Sequence, residues 1–247
     1  MIAIHVNLLQ SKDPKDQAKA AKALCELASD KFSRRIDIAK AGAIPPLVAL
    51  LGPKNSAEMQ TMAAEALRPL SHISTGSQIG LVETGVIFPL VALLGPHSSV
   101  KLQESAAGIL HNISKVAASK IVVAGAIPPL VALLGPQTSS EVQILAARAL
   151  SSLSNTNADN TVKIAAAGAI PLLVELLGPR SSVEVQERAA LALISIARSS
   201  PDKTLIAADG AIPHLVTLLG TKRSTRTQLI RGSEIIRGSE IFCEQKD

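Results

Sequence analysis

The chain has 247 residues, 47% of them apolar, with no Trp, no Tyr and only three Phe (Phe32, Phe88 and Phe242). That excludes a disordered chain and calls for a core built from small and branched aliphatic side chains. The net charge is +5, but residues 44–220 carry 11 basic and 11 acidic side chains; without a basic stripe or stacking aromatics, a nucleic-acid partner is not expected.

Taken in chain order, the opening "IAIHVNLLQS" reads as a short apolar helix. It lacks the basic start and small-residue cleavage site of a secretory signal. Asp13 followed by Pro14 is a helix start, the carboxylate capping and the proline occupying a position that needs no N–H. A long helix follows, then a short one in "SRRIDIAKAG", then "AGAIPPLVALLGP" at 41–53. That last stretch returns unchanged at 124–136, as "TGVIFPLVALLGP" at 84–96, as "AGAIPLLVELLGP" at 167–179 and as "DGAIPHLVTLLGT" at 209–221. The glycines that open it are Gly42, Gly85, Gly125, Gly168 and Gly210, spaced by 43, 40, 43 and 42 residues. A period of this length marks a repeat array.

Each period reads as three helices. A glycine just past one helix end takes the left-handed cap, and the proline that follows opens the next helix. "PPLVALL" is a short second helix, stopped by Gly-Pro. A longer third helix begins at a capping box, in Asn55/Glu58, Thr138/Glu141 and Ser181/Glu184, whereas Ser98 with Lys101 does not fit. Its body, as in "EVQILAARALSSLS", carries apolar residues every three and four positions. Alanine pairs such as Ala63-Ala64 and Ala146-Ala147 let neighbouring helices approach closely. Pro69, near the end of one third helix, predicts a kink or an early end that widens the surface there, or else simple tolerance in a final turn. The 40-residue period places a deletion in the loop and the first helix, at "SKIVVAG".

The recurring "GAIPPLVALL" and "EVQ…AA…AL…LS" resemble armadillo repeats, over residues 1–229. The resemblance implies an all-α armadillo-type solenoid, a right-handed superhelix of three-helix repeats with about five repeats and incomplete end units. The first helix of the chain matches a second helix of that unit. The tandem "IRGSEI" at 230–241 fits neither helix nor strand, so residues 230–247 are expected to be a weakly ordered tail. Uncovered ends predict either a piece of a longer product or end-to-end self-association.

In this family the third helices line a concave surface that holds extended peptides or partner proteins. The resemblance therefore implies a non-catalytic scaffold or adaptor with a partner-binding groove at Lys22, Glu26, Arg68, His111, Asn112, Lys115, Arg148, Ser152, Ser195 and Arg198. The alternative is the substrate-binding or targeting part of a larger protein, of the ubiquitin-ligase or vacuole-anchoring kind. The nuclear-import branch uses an Asn on each third helix and a Trp four residues earlier. Here the Asn position holds Glu26, Pro69, Asn112, Ser152 and Ser195, and the Trp position holds Lys22, Glu65, Gly108, Arg148 and Leu191. With no aromatic left to hold a basic side chain, binding of a nuclear-localisation signal is not expected. Arg68, Lys115, Arg148 and Arg198 lean the face towards partners with acidic residues.

No nucleotide-, zinc- or hydrolase-type motif occurs, and the five histidines do not pair at ligand spacing. Catalytic, cofactor-binding and metal sites are accordingly expected to be none, with no small-molecule substrate. Cys25 and Cys243 read as a core and a tail thiol of a reducing compartment. No apolar run approaches the ~18 residues of a membrane helix. These features point to the cytoplasm, with the nucleus also open.

Overall fold

The computed structural model describes residues 1–200. The expectations for Gly210, for the last repeat and for the tail at 230–247 lie outside the described residues. Two compact units divide the chain, Met1–Pro129 and Leu130–Asp247.

The first unit opens with α1 (Ile2–Leu8), α2 (Pro14–Asp30) and α3 (Phe32–Lys40). It continues with α4 (Ile44–Leu50), α5 (Ala57–Leu70), α6 (Thr75–Glu83), α7 (Ile87–Ala92) and α8 (Val100–Val123). α9 (Ile127–Ala132) leads into the second unit, which holds α10 (Ser140–Ser154), α11 (Ala158–Ala166), α12 (Ala169–Leu176) and α13 (Val183–Ser199). Every described element of regular structure is helical, and the short–short–long order of the repeat is visible in α3–α4–α5 and α11–α12–α13.

The corner between first and second helices is the one the glycines predict. Gly42 has φ +79° and Gly125 +78°, and no non-glycine described residue has a positive φ. Around Gly42 the chain makes both closing bonds of a Schellman cap: the Gly42 N–H donates to the Ala39 carbonyl at 3.1 Å and the Ala43 N–H to that of Ile38 at 3.3 Å. Gly125 and Ala126 repeat the pair on Val122 and Ile121. Ile38 and Ile121, which supply the second acceptor at these two corners, are also the anchors of their first helices, and like Leu81 and Ile164 in the other first helices they are essentially inaccessible.

The third helices start one residue later than the capping-box spacing predicts. Ser56, Ser99, Ser139 and Ser182 are the N-caps, each accepting from the N–H three residues on: Met59, Leu102, Val142 and Val185. The residue before each of them is already spent. The N–H groups of Asn55, Ser98, Thr138 and Ser181 close a turn onto the carbonyls of Gly52, Gly95, Gly135 and Gly178. The shift moves Glu58, Glu141 and Glu184 from a reciprocal cap to the first turn, where they complement the positive end of the helix. Asp13 caps α2 as expected, accepting from the Lys15 N–H at 2.8 Å.

A recurring glutamine ties each third helix to the second helix before it. Nε2 of Gln60, Gln103, Gln143 and Gln186 donates to the carbonyls of Gly52, Gly95, Gly135 and Gly178 at 3.0, 2.9, 2.9 and 2.8 Å. A side chain on any of those glycines would crowd a carbonyl of the preceding helical turn. A Cβ on Gly178 would stand 3.0 Å from the Glu175 carbonyl oxygen.

In the first unit α2, α5 and α8 pack side by side, with α1, α4 and α7 each against its own third helix. The alanine pairs sit at these contacts: Ala20-Ala21, Ala63-Ala64 and Ala106-Ala107 are fully buried. Pro69 is tolerated in the last turn of α5, which ends one residue later at Leu70. In the shortened repeat the third helix and the next first helix run together as α8, with Ala117 as the joint, at φ −136° and ψ 18°. In the second unit α10 packs on α13, and α11 touches α10, α12 and α13. Ala146-Ala147 and Ala189-Ala190 repeat the buried pair there.

Candidate protein-binding face

The ten sequence-predicted residues fall on third helices in both units. In the first, Lys22 and Glu26 are exposed on α2, Arg68 is half-buried on α5, and α8 carries half-buried His111 and Asn112 with exposed Lys115. In the second, Arg148 and Ser152 are half-buried on α10, while α13 carries buried Ser195 and exposed Arg198.

Asn112 is held from behind. Its Nδ2 donates to Ser71 Oγ on the neighbouring α5 end at 2.8 Å, and Ser71 Oγ donates in turn to the Arg68 carbonyl at 2.7 Å. An asparagine amide has two N–H groups and an oxygen with two lone pairs. Ser71 takes one N–H and fixes the orientation of the rest.

Ser195 behaves differently. It is only 9% exposed. Its hydroxyl donates to the Leu191 carbonyl at 3.0 Å, accepts from Asn155 Nδ2 at 3.2 Å and shares a 2.7 Å bond with Ser151. One donor and two lone pairs are thereby filled, so Ser195 stitches α13 to α10 and offers nothing outward. The sequence reading missed Asn155, which brings an amide to that seam from the end of α10. An asparagine at a helix end passes for an ordinary terminator.

Gly108, at the position where the import branch carries Trp, lies beneath Arg68. Arg68 Nε is 3.0 Å and Cδ 3.5 Å from where a Cβ on Gly108 would be. A guanidinium thus crosses bare backbone where an aromatic would form a pocket for a cation. Nearby on α2, burial pushes the Cys25 thiol up, and the carboxylates of Glu65 and Glu26 push the same way against a hydrogen bond with Ser29. A thiol so disfavoured as thiolate is a poor nucleophile at neutral pH. Among the described residues no three His, Cys, Asp or Glu side chains are placed to hold a metal ion, and no helix is long and apolar enough to cross a membrane.

The family model for the ARM repeat region of plant U-box proteins matches residues 3–200. A designed armadillo repeat protein is similar at a TM-score of 0.83 and 29% identity, over 92% of this chain and 96% of its own. An engineered protein is similar at 0.81 and 34%, over 92% and 94%. A further designed armadillo repeat protein, solved in complex with peptide (KR)4, is similar at 0.79 and 29%, over 92% and 95%. No curated protein matches the chain. The three-helix repeat, its glycine corners and its stacked third helices make this an armadillo solenoid, and the chain belongs to the family of plant U-box protein armadillo repeat regions.

Proposed function

We propose that this chain is a non-catalytic docking scaffold that holds an extended segment of a partner protein along its third helices. Asn112 carries the reading. Its amide is oriented by Ser71 and keeps an N–H and an oxygen for a peptide backbone, which presents one donor and one acceptor per residue. A designed relative solved with peptide (KR)4 supports the same use of such a surface. Without a Trp in the chain, the partner is not expected to be a nuclear-localisation signal.

The test is affinity capture from cell extract with the full chain, Asn112→Ala and Arg148→Glu, read by quantitative mass spectrometry. A hydrogen bond to a backbone contributes about 0.5–1.5 kcal/mol net, so Asn112→Ala should lower recovery of the specific partner by about threefold to tenfold. Arg148→Glu, which reverses a charge on α10, should also lower it. Recovery unchanged by both variants excludes the third-helix surface.

The family match favours a second reading, that the chain is the substrate-binding part of a larger ubiquitin-ligase-type protein. Fused to a U-box, the chain should then raise ubiquitylation of the captured partner, and Asn112→Ala should reduce the rise in step with the lost recovery. A partner equally modified with and without the fusion removes this reading.

A further inference from the structure

Segment binding leaves the chemistry of the partner open, and the charges of the first unit narrow it. Two seams flank α5, one against α2 and one against α8. At the first seam Glu26 is exposed on α2 and Glu65 is half-buried on α5. The two helices pack against each other, and both carboxylates act on the Cys25 thiol between them. Lys22 stands a turn before Glu26 and Glu104 a turn before Gly108, so neither seam is of a single sign throughout. At the second seam the Arg68 guanidinium lies over Gly108, its Nε 3.0 Å from where a Cβ would be. One and two turns further along α8 come His111 and exposed Lys115. The first seam carries the carboxylates of Glu26 and Glu65, and the second carries the cations of Arg68 and Lys115.

Neighbouring helix axes lie about 8–10 Å apart, and an extended chain advances about 3.3 Å per residue. A segment crossing α5 therefore spends about three residues between the seams. We propose that the first unit selects a segment with a basic and an acidic side chain about three residues apart, the basic one lying at Glu26 and Glu65 and the acidic one at Arg68 and Lys115. This rests on the extended-segment reading and adds a charge order to it. It also separates this face from that of the designed relative, whose peptide, (KR)4, is basic throughout.

The experiment is fluorescence anisotropy with the full chain and four short labelled peptides on one neutral background: K-x-x-E, E-x-x-K, K-x-x-K and E-x-x-E. One or both mixed peptides should bind about tenfold more tightly than either like-charged one, since each exposed ion pair contributes a factor of a few. Raising salt from about 20 to about 300 mM should compress that gap to about twofold. Arg68→Glu should shift the preference to K-x-x-K, and Glu65→Lys should shift it to E-x-x-E, with unchanged helical circular dichroism showing that both variants fold. A like-charged peptide that matches the best mixed one, or a ranking that ignores both charge reversals, overturns the charge order. So does an absence of binding by all four peptides. Segment binding itself is judged by the capture experiment on Asn112→Ala, so the two readings fail separately.

Discussion

Leu67→Ala should cost about 3–5 kcal/mol, the upper part of the range for a buried leucine. Leu67 lies on α5, the middle of the three stacked third helices of the first unit, and is wholly inaccessible. Its neighbours along the helix, Ala63, Ala64 and Ala66, are also buried and are too small to fill the hole. Among the described residues the two aromatic side chains, Phe32 and Phe88, are exposed, so neither belongs to this core to swing into the space. Because each repeat is stabilised mainly by its neighbours, a weakened α5 loosens its contacts with both α2 and α8. The expected record is a lower urea midpoint with a broadened transition, followed by far-ultraviolet circular dichroism because the chain has no Trp or Tyr. The exposed Ile79→Ala should stay within about 0.5 kcal/mol of the parent. A Leu67→Ala loss below about 1 kcal/mol would show that this core collapses freely, against the packing described.

Gln103→Glu should be nearly as damaging at neutral pH, and its damage should depend on pH. Gln103 is buried, and its Nε2 donates to the Gly95 and Leu94 carbonyls at 2.9 and 3.4 Å. A carboxylate there loses both donors and faces two carbonyl oxygens, a cost of about 3 kcal/mol or more. The protonated acid can still donate one hydrogen bond. Burial and those oxygens therefore raise the folded pKa of the new Glu above the ~4.3 of an unfolded chain. With the folded pKa raised, the variant keeps the most stability below about pH 4 and loses it as pH rises through the folded value. Gln103→Met should lose about 1–3 kcal/mol at every pH. Urea midpoints of the two variants relative to the parent, taken between about pH 4 and pH 7.5, distinguish them. A pH-independent gap between the parent and Gln103→Glu would mean that the side chain turns out to solvent.

The repeats, their three-helix content and their corners were legible because each is written into local chemistry. A glycine forced to positive φ, a proline after it and an aliphatic stripe at helical spacing mean the same thing four times over among the described residues. The start of the third helix was not legible to within a residue. Asn55, Thr138 and Ser181 satisfy the capping-box spacing as well as any rule requires, but their backbones are bound into the preceding turn. That commitment comes from Gly-Pro upstream, which a spacing rule does not include. The glutamine tie was visible as a polar residue recurring at Gln60, Gln103, Gln143 and Gln186 on an otherwise apolar stripe. Its meaning depends on a carbonyl eight residues back folding round to meet it. The candidate surface was legible as a set of positions, but not in the roles of its members. Asn112 and Ser195 occupy equivalent places, yet one is propped outward by Ser71 and the other is consumed by Ser151 and Asn155. Those partners lie 40 or more residues away, where no local pattern reaches.

The fusion of two helices into α8 has a mechanical result. Elsewhere a first helix is joined to the third helix before it by non-helical residues, and either can fray without dragging on the other. In α8 only Ala117 departs from helical geometry, so the third helix and the next first helix are separated by a kink and not by a loop. Unravelling that begins at the Gly125 corner therefore reaches the helix that carries Asn112 across a single non-helical residue. Lys115 and Lys120 sit in helical turns on either side of that kink, which denies trypsin the extended backbone it needs, whereas Lys31 itself is extended, at the break between α2 and α3.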